Sequence, residues 1–179
     1  YKAEDADVLL VLLGSSYHTA KEAVDDYRKE GKSCGVVTTH VLRPFPAKEL
    51  AALCRNAKTI VVGDRQDSYG AAGGNLTLEL KAALQSAGST ARVISRIYGL
   101  GGRDFYMEDA KELLDAGFSQ DAPAFGYLNI YPGDDNLEVK PYFHPVTEKE
   151  ASLGLTKCER NEETGKMVVK GGLVSESTR

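Results

Sequence analysis

Apolar runs alternate with helical stretches over the first two thirds of the chain. The first run, residues 8–13, is apolar at every position, which is typical of a strand buried on both faces. Similar short runs follow, and the amphipathic stretches between them have the helical repeat. This alternation predicts an α/β domain in which helices connect parallel strands. The predicted strands are residues 8–13, 34–39, 59–62 and 92–97.

The segments between these strands predict four helices, over residues 19–29, 47–55, 75–86 and 107–116. Pro46 lies just before the second helix, where a missing N–H group is tolerated. Asn75 is the predicted N-cap of the third helix, and Gly117 is predicted to end the fourth. We therefore expect a three-layer fold, an open and mostly parallel sheet with helices on both faces.

The pattern changes after residue 118, where prolines follow at positions 123, 132, 141 and 145. We predict an α/β domain over residues 1–118 and an extended C-terminal arm over residues 119–179. Within the arm, residues 155–160 and 166–169 are predicted to pair as a hairpin around a turn rich in polar residues. An isolated hairpin has only marginal stability, so we expect the arm to lie on a partner.

Composition and charge exclude several classes of function. The net charge of −4 gives no electrostatic reason to bind nucleic acid. The longest apolar run is far shorter than the roughly 20 residues that span a bilayer, so no membrane segment is predicted. Cys34, Cys54 and Cys158 have no paired spacing, which favours a reducing cytoplasm. A start at Tyr1 rather than Met indicates an excised or processed piece of a longer chain.

The glycine-containing turns after two predicted strands have weak ligand signals. The turn at residues 14–16 lacks the lysine and spacing of a phosphate-binding loop, which favours a simple helix cap. In residues 99–102 the third glycine follows the second directly, and this disfavours a dinucleotide site. His18, His40 and His144 have no metal-ligand spacing, and no GxSxG motif occurs. We therefore assign no catalytic, cofactor-binding or metal residue.

Charged residues follow the predicted strands at the carboxyl edge of the sheet, where open α/β sheets place functional loops. Arg43, held between a strand and two prolines, suits a buried or interfacial ion pair. A salt-bridge network between loops is an equally good interpretation of Asp64 and Arg65. The candidate interface or loop contacts are Arg43, Asp64, Arg65, Gly99, Gly101, Gly102, Arg103 and Asp104.

Five motifs in order carry a family resemblance. They are residues 6–15, Leu-Arg-Pro-Phe-Pro at 42–46, Asp-Arg at 64–65, the glycine-rich residues 70–74, and Ile-Tyr-Gly-Leu-Gly-Gly-Arg-Asp at 97–104. Together they resemble the second domain of the α chain of pyruvate:ferredoxin oxidoreductase, which is similar to the C-terminal domain of transketolase. The resemblance covers residues 4–117 and leaves the arm unassigned. Its 97–104 motif looks most like the pyruvate branch.

The resemblance implies that this chain is part of an enzyme of anaerobic metabolism that converts pyruvate to acetyl-CoA. In that family thiamine diphosphate, Mg²⁺, iron–sulfur clusters and coenzyme A lie mostly on other domains and subunits, and ferredoxin accepts the electrons. The implied role of this domain is assembly within an oligomeric enzyme, with little activity in isolation. Two alternatives stay open: a free-standing α/β module for a small molecule or anion, and a transketolase-type or dehydrogenase component.

Overall fold

A computed structural model describes residues 1–130, 158–160 and 167–169 of the chain. Strands and helices alternate over residues 8–118, as the sequence predicts. The elements are β1 (Val8–Val11), α1 (Ser15–Lys29), β2 (Cys34–Val37), α2 (Ala47–Cys54), β3 (Thr59–Asp64), α3 (Asn75–Ser86), β4 (Arg92–Ile97), α4 (Met107–Phe118), β5 (Phe125–Tyr127), β6 (Cys158–Arg160) and β7 (Met167–Val169).

The first five strands form one sheet in the order β2-β1-β3-β4-β5, and every neighbouring pair is parallel. The α/β prediction is therefore confirmed. The chain runs outward from β1 to β2, and then crosses back to β3 and continues in the other direction. This reversal lies between β1 and β3, and in open α/β sheets ligands bind at the carboxyl ends of the strands at such a point.

Two apolar cores cover the two faces of the sheet. The side chains of Leu10 and Leu12 pack with α1 and α4, whereas those of Leu9 and Val11 pack with α2 and α3. Successive side chains of a strand point to opposite faces, so a strand covered on both sides must be apolar throughout. This explains the unbroken apolar run at the start of the sequence, and the three-layer prediction is confirmed.

Several element boundaries differ from the predictions; β1, β2 and α2, for example, end one or two residues earlier. Helix α1 begins at Ser15 rather than at residue 19, and β3 continues through Gly63 to Asp64. The prediction that Gly117 ends the last helix was wrong, because α4 continues to Phe118. A Cβ atom at Gly117 would lie 2.4 Å from Cγ1 of Val8. Glycine is therefore needed there for close packing of the helix on the sheet.

A fifth strand joins the sheet after residue 118, within the segment that the sequence left to the arm. Two arginines of β4 bind the segment that precedes this fifth strand. Nη1 of Arg92 donates to the carbonyl of Ser119 at 2.7 Å, and Nη1 of Arg96 donates to the carbonyl of Pro123 at 2.9 Å. These bonds bring the chain back beside β4 without a helical or strand-like sequence signal. The domain boundary after residue 118 stays a prediction.

The chain divides into two compact units, Tyr1–Lys140 and Pro141–Arg179. In the second unit β6 and β7 pair antiparallel, with Cys158 opposite Val169. They lie within the two segments that were predicted to form a hairpin. The predicted turn between these segments, at residues 161–165, lies outside the described residues.

Candidate functional site at the carboxyl edge of the sheet

Asp64, at the end of β3, caps the N-terminus of α3. Its carboxylate accepts a hydrogen bond from the N–H group of Leu76 at 2.8 Å and two from Thr77, one from the N–H group and one from the hydroxyl. Asp64 is only 7% exposed. A carboxylate at this position satisfies N–H groups that a helix leaves unpaired and also complements the helix dipole. The N-terminus of α3 is thus already occupied by an anionic group.

The glycine-rich segment before α3 makes room for this cap. A Cβ atom at Gly74 would lie 2.3 Å from the Cβ and Cγ atoms of Asp64. The N–H group of Gly74 donates to Oγ of Ser95 at 3.3 Å. Ser95 also pairs with the hydroxyl of Thr77 at 3.1 Å, so the first turn of α3 is hydrogen-bonded to both β3 and β4. The close approach to Asp64 explains why glycine is needed at position 74, and no bound ligand has to be invoked.

The prediction that Asn75 is the N-cap of α3 was wrong. Gly74 holds the cap position and Asn75 is the first helical residue. The side chain of Asn75 instead joins the loop before it, since it accepts from the hydroxyl of Ser68 and donates to Gln66. The signal that sequence analysis missed is the carboxylate of Asp64, which lies eleven positions earlier in the chain.

Arg65 and the glycine turn after β4 lie together. Nη2 of Arg65 donates to the carbonyl of Arg103 at 3.2 Å, and its guanidinium lies 5.9 Å from the ring centre of Tyr98. Gly99 has a φ angle of +67°, and a Cβ atom there would lie 2.8 Å from Nε of Arg65. Gly101 and Gly102 also have positive φ angles. These glycines therefore form the tight turn that the sequence predicts, with Arg65 packed beside it.

Arg103 turns inward and binds the start of α4. Its Nη1 atom lies 2.9 Å from Oδ2 of Asp109, and the two side chains are 10% and 4% exposed. The same nitrogen donates to the carbonyl of Asp104. Asp109 also accepts from the N–H group of Tyr106 and from the amide of Asn129. This buried ion pair ties the glycine turn to α4 and to the segment after β5.

Arg43 lies apart from Arg65, Arg103 and the glycine turn. It pairs with α3, which packs on the face of the sheet opposite to α4. Its Nη2 atom lies 2.7 Å from Oε1 of Glu79 in α3, but its side chain is 71% exposed. Arg43 thus forms an ion pair, as expected, but the pair is not buried within this chain. The cause is position, because the 38–46 loop follows the edge strand β2 and is not covered by the sheet. An interfacial role for Arg43 stays a prediction.

The turn after β1 is also internally bonded. Gly14 has a φ angle of +62° and precedes α1, and the hydroxyl of Tyr98 donates to Oγ of Ser16 at 2.9 Å. Burial raises the pKa of the Tyr98 phenol. Ser16 is 2% exposed. The interpretation of this turn as a simple structural element agrees with these contacts.

Sequence analysis missed a second carboxylate at this edge. Asp67 is 8% exposed and accepts hydrogen bonds from the hydroxyl of Tyr127 and from the N–H group of Tyr69. Its hydrogen bond raises the pKa of Tyr127 to about 12. Tyr127 belongs to β5, the strand that the sequence did not predict, so the pairing had no sequence signal. Asp67 therefore joins the β3–α3 loop to the far edge of the sheet.

Cysteine and histidine side chains do not converge in the described part of the chain, where no group of three His, Cys, Asp or Glu residues could hold a metal ion. Cys34 and Cys54 lie in different apolar cores, on opposite faces of the sheet. Burial raises the pKa of both thiols, to about 11 for Cys54. None of the helices in the described residues is long and apolar enough to cross a membrane.

The fold and its carboxyl edge define a class of protein, an α/β domain. Buried hydrogen bonds and a buried ion pair join the loops at its carboxyl edge to the neighbouring helices. Comparison with known families assigns it further. Residues 6–110, more than half of the chain, match the family described as pyruvate:ferredoxin oxidoreductase core domain II. The chain belongs to this family of oxidoreductases, and the resemblance noted in the sequence is confirmed.

Individual relatives agree with this assignment. The chain is 37% identical over 114 residues to pyruvate synthase subunit PorA of Methanothermobacter thermautotrophicus, covering 64% of this chain and 28% of the relative. It is 42% identical over 112 residues to ketoisovalerate oxidoreductase subunit VorA of Pyrococcus horikoshii, covering 63% of this chain and 28% of the relative. The aligned part is thus less than a third of either relative.

One solved structure is also similar, the 2-oxoglutarate:ferredoxin oxidoreductase from Magnetococcus marinus with 2-oxoglutarate, coenzyme A and succinyl-CoA bound. Its TM-score is 0.49 at 19% sequence identity, and the match covers 64% of this chain and 18% of that chain.

Proposed function

We propose that this chain is a domain of the α chain of a thiamine-diphosphate-dependent 2-oxoacid:ferredoxin oxidoreductase, and that it serves assembly around the active site. The family match over residues 6–110 carries this proposal. The geometry of the carboxyl edge agrees with a non-catalytic role for this domain. Asp64 is committed to α3 and Arg103 to Asp109, so both charges stabilise the domain itself.

The family implies thiamine diphosphate with Mg²⁺, iron–sulfur clusters and coenzyme A in the complete enzyme. The described residues do not fit these groups. A cubane cluster needs several converging thiolates, whereas Cys34 and Cys54 lie on opposite faces of the sheet. The N-terminus of α3, which would otherwise attract a phosphate, is capped by Asp64. We therefore assign these cofactors to other domains and subunits.

In this role the domain presents rigid loops to the rest of the enzyme. Arg43, Arg65 and Asp104 are exposed at the carboxyl edge and are our proposed contacts there. The glycine turn at 99–102 sets the path of the chain beside Arg65. We place the enzyme in the cytoplasm as an oligomer of several subunits, with ferredoxin reached indirectly through the subunits that carry the clusters.

The proposed 2-oxoacid is pyruvate, because the 97–104 motif resembles the pyruvate branch and several relatives are pyruvate synthase subunits. A branched-chain 2-oxoacid is the second candidate, favoured by the 42% identity to a ketoisovalerate oxidoreductase subunit. The assembled enzyme separates the two. We expect kcat/KM for pyruvate to exceed that for 2-oxoisovalerate, and the reverse order would assign the enzyme to the branched-chain group.

Reconstitution tests the assembly role. The enzyme subunits are purified with and without this domain, and reduction of a viologen dye is measured with 2-oxoacid and coenzyme A. We expect activity only when all parts are present. Robust activity of the isolated chain would contradict the proposal. Calorimetry of the isolated chain with thiamine diphosphate, coenzyme A and nucleotides is the companion measurement, because micromolar binding would favour a free-standing ligand-binding module instead.

A further inference from the structure

The loop between β3 and α3 displays a tyrosine at its tip. The side chain of Tyr69 is 85% exposed, the largest exposure among the large hydrophobic residues in the described part of the chain. Its φ angle is +37°, in a region that residues other than glycine rarely adopt. Such backbone strain persists only where surrounding contacts enforce it, and it is common at functional positions.

Hydrogen bonds on both sides hold this loop in place. Asp67 accepts from the N–H group of Tyr69 at 3.0 Å and is itself held by Tyr127 of β5. On the other side, Nζ of Lys81 donates to the carbonyl of Ala72 at 2.7 Å. The flanks of the loop are therefore fixed while the ring of Tyr69 points into solvent. The backbone that carries the ring is therefore pre-organised, so little backbone freedom is lost when a partner covers the ring.

Other apolar side chains are exposed at the same edge. Of the six large hydrophobic residues exposed in the described ranges, four lie on loops at the carboxyl edge or in the first turn of α3. These four are Val41, Leu42, Tyr69 and Leu78. Arg43 follows Leu42 in the chain and Glu79 follows Leu78. The ion pair between Arg43 and Glu79 therefore joins the two segments that carry these leucines. Exposed apolar groups with polar residues around them are typical of interaction surfaces.

We infer that Tyr69 is the aromatic anchor through which this domain docks into an apolar pocket on the remainder of the α chain. The inference rests on the proposed function. The aligned region spans only 28% of the related α chains, so most of such a chain lies outside this domain and is tethered to it. Tyrosine and arginine are enriched among residues that dominate interface energies, and Arg65 is exposed at the same edge. The pocket is therefore expected to have an apolar floor and a carboxylate or carbonyl group on its rim.

Photo-crosslinking in the assembled enzyme tests the contact directly. A benzoylphenylalanine is placed at position 69 of the full-length α chain, and a matched one at position 53. Leu53 is 45% exposed but lies in the last turn of α2, at the opposite edge of the sheet. We expect crosslinks from position 69 to α-chain residues outside this domain, and none from position 53. Crosslinks from 69 only to a different subunit, or none at all, would overturn the inference.

Substitution supplies a second measurement. Protease cleavage between domains reports how often the interface opens. Tyr69→Ala is expected to raise the cleavage rate about thirtyfold, the change for a dominant interface residue. Tyr69→Phe keeps the ring and should stay within about threefold, and Leu53→Ala provides the control. Equal rates for Tyr69→Ala and Leu53→Ala would contradict the anchor. Activity of the wild-type enzyme on 2-oxoacids is measured separately, so failure of the proposed function is distinguishable from failure of this contact.

Discussion

Thr77 donates two hydrogen bonds to Asp64, one from its backbone N–H group at 3.2 Å and one from its hydroxyl at 2.8 Å. This pairing fixes the entrance of α3 against the end of β3, across a loop that contains the exposed tyrosine. Buried acceptors of this kind are costly to remove, because the donors they satisfy are then left without partners. The stability of the carboxyl edge should therefore depend strongly on this one carboxylate.

Asp64→Ala is expected to lower the free energy of unfolding by about 3 kcal/mol, since it removes a helix cap and leaves buried N–H groups unpaired. Asp64→Asn keeps one acceptor oxygen and should cost less. Urea denaturation followed by circular dichroism measures both changes. Asp104→Ala is the control, because that residue is exposed and its loss should change stability by less than about 0.5 kcal/mol. Equal effects of Asp64→Ala and Asp104→Ala would show that the cap is energetically unimportant.

The two arginine ion pairs at this edge should differ in strength. Arg103→Ala leaves the buried carboxylate of Asp109 without its arginine and should cost about 3 kcal/mol. Arg43→Ala breaks a pair whose arginine is 71% exposed and should cost less than about 1 kcal/mol. Thermal unfolding of the two variants compares them. A larger loss for Arg43→Ala would contradict the burial argument.

Gly35→Ala should displace the start of the chain from β2. A Cβ atom at this position would lie 2.3 Å from the carbonyl oxygen of Lys2. Tyr1 and Val36 exchange two backbone hydrogen bonds across the same edge, so hydrogen exchange at the amide of Val36 reports the displacement. We expect faster exchange there. Gly126→Ala is the control, because its Cβ atom would meet Arg96 at an ordinary 3.5 Å. Unchanged exchange at Val36 in Gly35→Ala would contradict the prediction.

Stability should decrease at alkaline pH because of the buried thiol of Cys54. Burial raises its pKa from 9.0 to about 11. Between these two values the unfolded chain has lost the proton while the folded chain retains it. The folded state then binds more protons, so the free energy of unfolding falls as pH rises. Urea denaturation at pH 8, 9 and 10 measures the slope.

Cys54→Val serves as the control for this pH effect, since it removes the titrating group and keeps an apolar side chain. Its free energy of unfolding should fall less steeply over the same pH range. Identical slopes for the two proteins would show that Cys54 does not titrate as the burial argument requires. Other buried groups, including Tyr98, contribute to the slope in both proteins.

Local patterns in the sequence were sufficient for most of the fold. The bounds of α3 and β4 were predicted to the residue, because α3 has the helical repeat of apolar residues and β4 is a short segment with three β-branched residues. The parallel direction of the strands was predicted from the alternation of elements, whereas their order in the sheet was not predicted. The family assignment also came from the sequence, since five short motifs in a fixed order are specific when none of them is specific alone.

Only the tertiary structure decided which partner each polar side chain at the carboxyl edge would take. Asp64 was a candidate for an interface contact or for a salt bridge between loops, and in the structure it caps a helix that begins eleven residues further on. Arg43 remained exposed because its loop follows an edge strand. The strand β5 was missed because side-chain contacts that hold it come from residues distant in the sequence: the arginines of β4 bind the chain just before it, and Asp67 binds Tyr127. The sequence by itself determined which segments are buried. The hydrogen bonds depend on residues distant in the chain, whose proximity exists only in the folded molecule.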